Sequence, residues 1–347
     1  MRYYDIQIDP VSAATDDRYG EMSVSGKKGL RFQTHPRGLQ ATPDMGALHV
    51  LMDIPVSTFD VPNGSAYLEI RGVDIATINQ ASNLQGAQVT IQGGMGKGLP
   101  LAKPEQAGGL ISGSVYRAYG NWLNTDMSLN LLIQPFAEPQ TGTTYPPFVW
   151  NWKTGQKIQD AINYTVSSAM PGYTVDTSGI KSSLVAQSDM AGAYSDITAW
   201  AAQLVSDSVH ANPASGYRGV RFYVSGKTFF FYDTADATSP KLIQFNDMIG
   251  QPTWLGPFPY PQIMLQTVMR GDISVGDVIR MPAFNQSGAN QNLTGYGTIA
   301  PSSQDITTPK GRSLFQGNFE VTSVRHIGDS RNPDGAGWVT VFEAVGM

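Results

Sequence analysis

The chain has no cysteine anywhere in its 347 residues. Disulfides, thiolate nucleophiles and cysteine metal sites are therefore excluded. Charge is scarce as well: Asp, Glu, Lys and Arg make up 15% of the sequence, against about a quarter in an ordinary globular chain. The formal net charge is −5, so no basic excess advertises nucleic-acid binding. Four histidines, His35, His49, His210 and His326, stand far apart with no metal-ligand spacing. No apolar run approaches membrane-spanning length, and Met1-Arg2-Tyr3-Tyr4-Asp5 carries no apolar signal core. The expectation is a protein made and kept in a cytoplasm, with no stable membrane insertion.

What is present is turn and strand. Gly (37) and Pro (22) are frequent, so turns are many and long helices few. A surface polar through Ser, Thr, Asn and Gln, and poor in charge, points to burial in an assembly. The stretch Leu242–Pro282 sets the pattern. Ile263, Leu265 and Thr267 alternate with Met264, Gln266 and Val268, apolar-biased on both faces, which predicts a strand in a largely covered sheet. Val275-Gly276-Asp277-Val278-Ile279 predicts a turn into a second strand.

Earlier in the chain, strands are predicted at 3–8, 47–55 (ending at Pro55), 66–73, 87–92, 109–119 and 126–134. A polar hairpin region is expected over 20–34, and Asp74 caps a short helix from Ile75 to Ser82. Residues 1–135 thus read as a small barrel or sandwich. A Pro/Thr/Gly linker covers 136–147. Over 148–240 the pattern changes to a small α/β part. It has one helix over Gly155–Ala169 with Thr154 as its cap, stopped by Pro171-Gly172, and a second over Ile197–Val209 behind Asp196. Strands follow at 220–224 and 229–233. Residues 241–347 return to β, with a long loop, 283–312, rich in Asn, Gln, Gly and Ser. The fold class is mainly β with a smaller α/β part.

No motif carries chemistry. Gly93-Gly94-Met95-Gly96-Lys97-Gly98 lacks the first glycine and the Ser or Thr of a phosphate loop, with Ile91 and Gly98 in those places, and reads as a glycine-rich surface turn. Arg270-Gly271-Asp272 reads as part of a strand and turn rather than an adhesion tripeptide. Asp329–Gly335 has calcium-loop composition, but Arg331 and Pro333 occupy ligand positions. No carboxylate pair stands out for glycosidase chemistry. No catalytic, cofactor or metal residue is assigned, and the chain is read as a non-enzyme.

Several strings resemble baseplate hub proteins of contractile-tailed bacteriophages, a family related to the hub part of type VI secretion spikes. They are Gly86-Ala-Gln-Val-Thr-Ile-Gln-Gly-Gly-Met95, Gly98-Leu-Pro-Leu-Ala102, Gly120-Asn-Trp-Leu-Asn-Thr-Asp-Met127, Phe245-Asn-Asp-Met-Ile-Gly-Gln-Pro-Thr-Trp254 and Phe315–Gly328. The resemblance implies two tail-tube-like β-barrels, 1–135 and 241–347, flanking the α/β middle domain. It implies a homotrimer whose partners are the tail tube or tube initiator, the central spike and baseplate wedge proteins. Double-stranded DNA would pass through without specific binding, in a virion tail assembled in the host cytoplasm. Partner-interface candidates on these strings and on the long loop are Gly94, Met95, Lys97, Asn121, Trp122, Asn124, Gln251, Trp254, Asn290, Asn292 and Tyr296. Rival readings are a β-rich tail protein acting on host polysaccharide and a secretion-system tip hub. The loop 283–312 cannot form a core and is expected to be ordered by a partner. Deleting Ser287 to Pro309 is expected to leave folding nearly intact and weaken assembly, read by circular dichroism and solution mass.

Overall fold

The structure, a computed structural model, describes residues 2–9, 29–60, 64–99, 103–135, 147–214, 217–233, 239–256, 262–282 and 317–347. The loop 283–312, with Asn290, Asn292 and Tyr296, and all but the last residue of the 136–147 linker lie outside them.

The first β unit holds β1 (Arg2–Asp9), β2 (Leu30–Gln33), β3 (His49–Ser57), β4 (Ala66–Arg71), β5 (Gln88–Met95), β6 (Gly108–Leu123) and β7 (Asp126–Gln134). Helix α1 (Ile75–Asn79) follows β4, and Asp74 caps it by accepting from the Thr77 N–H at 2.8 Å. Strand β4 alternates as expected, with Leu68 and Ile70 buried and Tyr67, Glu69 and Arg71 facing out. Strand β3 does not end at Pro55 but runs on to Ser57. Its pairing with β4 stops at Asp53, so at Pro55 the only sheet neighbour is Arg325, and a missing N–H is tolerated there.

The middle unit holds β8 (Phe148–Trp152), α2 (Ile158–Ala169), β9 (Thr174–Gly179), β10 (Met190–Tyr194), α3 (Ile197–Ala211), β11 (Arg221–Ser225) and β12 (Thr228–Tyr232). Helix α2 starts three residues later than Gly155, because Thr154 gives its hydroxyl to Asp189 at 2.7 Å instead of capping. Gly172, at φ +92°, follows the helix end as the sequence implies. Asp196 caps α3 through the Thr198 N–H at 3.1 Å. The core of this unit is aromatic: Trp150, Trp152, Trp200, Phe222, Phe229 and Phe231 are buried together. Phe148 stacks on Trp200 at 5.0 Å.

The last unit holds β13 (Lys241–Leu242), β14 (Thr253–Gly256), β15 (Gln262–Val268), β16 (Val278–Met281), β17 (Gly317–Asp329) and β18 (Trp338–Gly346). Thirteen strands from the two β units form one sheet, because β17 pairs with β3 from Ser323↔Ser57 to Asp329↔Leu51. The hydrogen-bonded order from β18 is β17, β3, β4, β7, β6, β5. Six spacings would put β18 and β5 roughly 29 Å apart in a flat sheet. Yet the Trp338 indole N–H donates to the Gly94 carbonyl at 2.8 Å. The sheet therefore curls back on itself, and the first core includes Trp338 and Met269 from the far end of the chain.

Glycines permit this closure. Gly93 and Gly94 are not a surface turn but buried positions of β5, and only 97–98 turns. A Cβ on Gly94 would lie 2.5 Å from that of Ala107, and one on Gly328 would lie 2.5 Å from the Trp338 ring. Gly108 and Gly271 bring two backbones together, with the Gly271 N–H on Gln106 O at 2.9 Å. Trp338→Ala is expected to lower unfolding free energy by about 3–5 kcal/mol. Trp338→Phe, which strands the buried Gly94 carbonyl, should lose about 1–3 kcal/mol. Urea titration with fluorescence measures both.

Candidate assembly interface

Strands β6 and β7 run on together past the end of β5. β5 pairs β6 only up to Ser114, whereas β6 and β7 stay paired out to Leu123↔Asp126. The connecting turn is Asn124-Thr125, and Asn124 takes φ +55°, a conformation Asn tolerates. Trp122 and Leu123 at this tip are 63% and 65% exposed. The Trp122 indole N–H donates to the Asn124 carbonyl at 2.7 Å and holds the turn. At the base of the arm, Gly120 leaves room for Ile78 of α1, whose Cγ2 would stand 2.3 Å from a Cβ there.

The sequence candidates fall in separate places. Asn121, Trp122 and Asn124 are all exposed on this tip. Gly94, Met95 and Lys97 lie where β5 ends, near the opposite end of β6: Gly94 is buried, Met95 half-buried and Lys97 exposed. Gln251 is exposed and Trp254 half-buried beside β14, the edge strand of the last unit. Among the described residues, no single surface of one chain gathers them.

The outer face of the sheet is polar and internally paired. Arg325 holds Asp53 through two hydrogen bonds of 2.7 and 2.6 Å across the join of the β units. Arg71 pairs with Glu69, and Arg31 with Asp5. Burial pushes the Tyr67 hydroxyl up to about 12, assisted by Glu69, and the hydroxyl donates to Asn130 at 2.7 Å. At the sheet end, burial works to raise the Asp329 carboxyl. Hydrogen bonds from His49 and from the Arg331 and Asn332 amides outweigh it and hold the group below its ordinary value.

Two buried charge clusters join the units, and sequence reasoning missed both. Arg270, 3% exposed, forks onto Asp272 at 2.7 and 2.6 Å, while Lys103 reaches Asp247 at 2.5 Å. The Arg-Gly-Asp string is thus a structural brace. The second cluster takes Asp60 from the first unit, Arg218, Arg221 and Tyr232 from the middle and Glu320 from the last. Arg218 bonds Glu320 at 3.1 Å and Gly346 O at 2.6 Å, and Arg221 stands 3.4 Å from Asp60. Phe59 stacks on Phe222 beside it, at 5.4 Å. Burial raises the Glu320 carboxyl, against the pull of both arginines and with Asp60 adding to the rise. Apart from the local Arg270–Asp272 fork, nothing in a local window marks these contacts, because Lys103 meets Asp247, Arg218 meets Glu320 and Arg221 meets Asp60 across about a hundred positions or more.

No protein-family model matches the chain, and no curated protein matches it. Solved structures do. The 43 kDa tail protein of prophage MuSo2 from Shewanella oneidensis superposes with a TM-score of 0.53 at 7% identity, covering 100% of this chain and 97% of that one. A tail protein from Neisseria meningitidis MC58 gives 0.50 at 10% identity, over 99% and 96%. The E. coli c3393 protein, described as a type VI secretion component with structural similarity to T4 tail proteins, gives 0.49 at 8% identity, over 88% and 75%. At these identities the likeness is one of fold.

The Glu320 shift sets a pH slope. A carboxyl whose folded value is raised binds its proton more tightly when folded, so its contribution to stability falls as pH rises from about 4.5 through the raised value. Wild type should show that decline, and Glu320→Gln should lack it. Urea midpoints measured from pH 4 to 8 decide.

Proposed function

We propose that this chain is a structural hub of a contractile tail: a homotrimer that adapts a six-fold tube to a three-fold spike and surrounds the DNA exit path. The observation that carries this reading is the end-to-end likeness of fold to two tail proteins, each covered almost completely. Symmetry supplies the logic. Three copies of a chain with two β units present six β surfaces on one side and a three-fold face on the other. The tube or its initiator, the spike and wedge proteins are the partners this role requires.

The electrostatics agree with a passive conduit. A wall of free Lys and Arg would grip phosphates and bind DNA with strong salt dependence. Here the arginines of the outer sheet face at positions 31, 71 and 325 are each held by a carboxylate. Arg221 is committed to the junction with Asp60 and Glu320, while Arg117 and Lys153 are exposed. Of the rival readings, the polysaccharide one asks for a row of aromatics on one face. Tyr119 and Trp122 lie three positions apart on a regular stretch of β6, so they point to opposite faces and form no platform.

Light-scattering mass at high and low concentration tests the stoichiometry, and the expected mass is three chains. A stable dimer under all conditions overturns it. In a titration with duplex DNA at low salt, binding weaker than micromolar is expected, and micromolar or tighter binding overturns the passive conduit.

A further inference from the structure

A cavity of about 130 Å³ opens where the three units meet. Its rim is hydroxylic, with Ser112, Ser225 and Ser274, and its interior is apolar, with Leu110 and Val324. His326 also lines it and has one bare acceptor. The Thr340 hydroxyl accepts from the Arg270 N–H at 3.1 Å and donates to the Arg270 carbonyl at 3.2 Å. With its proton on that carbonyl, the Thr340 hydroxyl meets His326 Nδ1 at 2.9 Å as the acceptor, and Nδ1 is the donor. A neutral imidazole protonated there leaves Nε2 as a lone pair, and the described residues give it no partner. Burial keeps the ring neutral by holding its pKa down at about 3.

The cavity therefore asks for a flat apolar group carrying one N–H or O–H. Engineered cavities of about 150 Å³ take a benzene ring. An indole fits that description with its six-membered ring inside and the rest at the mouth, and Trp is the residue that most often anchors protein contacts in such pockets. The most exposed tryptophan among the described residues is Trp122, at the arm tip. It sits ten residues beyond Ser112 on the same strand, roughly 33 Å away, and cannot reach the cavity of its own chain.

We propose that Trp122 of one copy docks in the junction cavity of the next, moving its indole N–H from the Asn124 carbonyl to His326 Nε2, with Leu123 packing on the rim. A knob and a socket at opposite ends of one rigid strand make a heterologous, head-to-tail contact, which closes a ring when the rotation allows. The inference rests on the hub reading only for the number of copies in that ring. Binding would also bridge all three units at their meeting point, so assembly and internal rigidity are coupled.

The absence of cysteine makes a clean test. Leu123→Cys and Ser274→Cys, combined in one chain, are oxidised at assembly concentration and weighed without reductant. Covalent multimers are expected from the double variant. Each single variant should give none, as should the double variant diluted to where the chain is monomeric. Trp122→Ala, at an exposed position, should leave the far-ultraviolet circular dichroism of the dilute monomer unchanged and weaken association at least tenfold, and Ser112→Phe at the rim should do the same. If wild type assembles and Trp122→Ala assembles equally well, or the double variant yields no intermolecular bond, the docking is overturned and the hub reading stands. A wild type that stays monomeric and yields no crosslink at the highest concentration overturns the docking too. The hub reading is then judged separately, by whether the chain is found in purified tails.

Discussion

The hydrogen bond from the Trp338 indole to the Gly94 carbonyl is the contact on which the architecture turns. It brings together two strands, β18 and β5, that stand six spacings apart along the pairing order. The seal needs a large ring, a strand position without a side chain to receive it, and Gly328 to make room beside it. The same region brings Gly108 and Gly271 into backbone contact and buries Arg270 behind them. The two β units are consequently one curved wall with shared contents, and the Arg325–Asp53 pair marks the join on the outer face.

The α/β unit is attached differently. Its core is a stack of aromatic rings, and Phe59 reaches into it from the first unit. Around that apolar plug lies the cluster of Asp60, Arg218, Arg221, Tyr232 and Glu320, where buried polar atoms such as Asp60 Oδ1 and Tyr232 OH have no hydrogen-bond partner among the described residues. Buried ion pairs of this kind contribute little net stability but tolerate few alternative arrangements. The rings supply adhesion and the charges fix orientation. The cavity lies at this meeting point, where three surfaces of fixed outline cannot all fit without a gap.

Much of this was legible in the sequence. Alternation at 66–71 and 262–268 and the helical spacing of Ile158, Ala161, Ile162 and Val166 reported local burial, and local burial sets the element. Asp74 and Asp196 act as caps as their positions imply. Thr154 does not, because Asp189, thirty-five residues on, competes for it. Gly93-Gly94 read as a turn because glycine more often serves backbone freedom than close approach, and the approaching groups, Leu110 and Met269 at Gly93 and Ala107 at Gly94, lie outside any local window. The exposed tip was visible as Asn-Trp-Leu-Asn. The charge clusters and the socket were not, since each is assembled from residues of two or all three units.

The Trp338–Gly94 bond spans 244 residues of sequence. At a synthesis rate of about 5–20 residues per second, the strand that seals the first core is made on the order of ten to fifty seconds after the glycine that receives it. Throughout that interval the nascent first unit stands open, with the β3 edge unpaired and the interior of β5 uncovered. Its biogenesis is therefore a matter of timing. The early strands must stay soluble as an incomplete shell, and the chain's scarcity of charge leaves them little to repel one another while they wait.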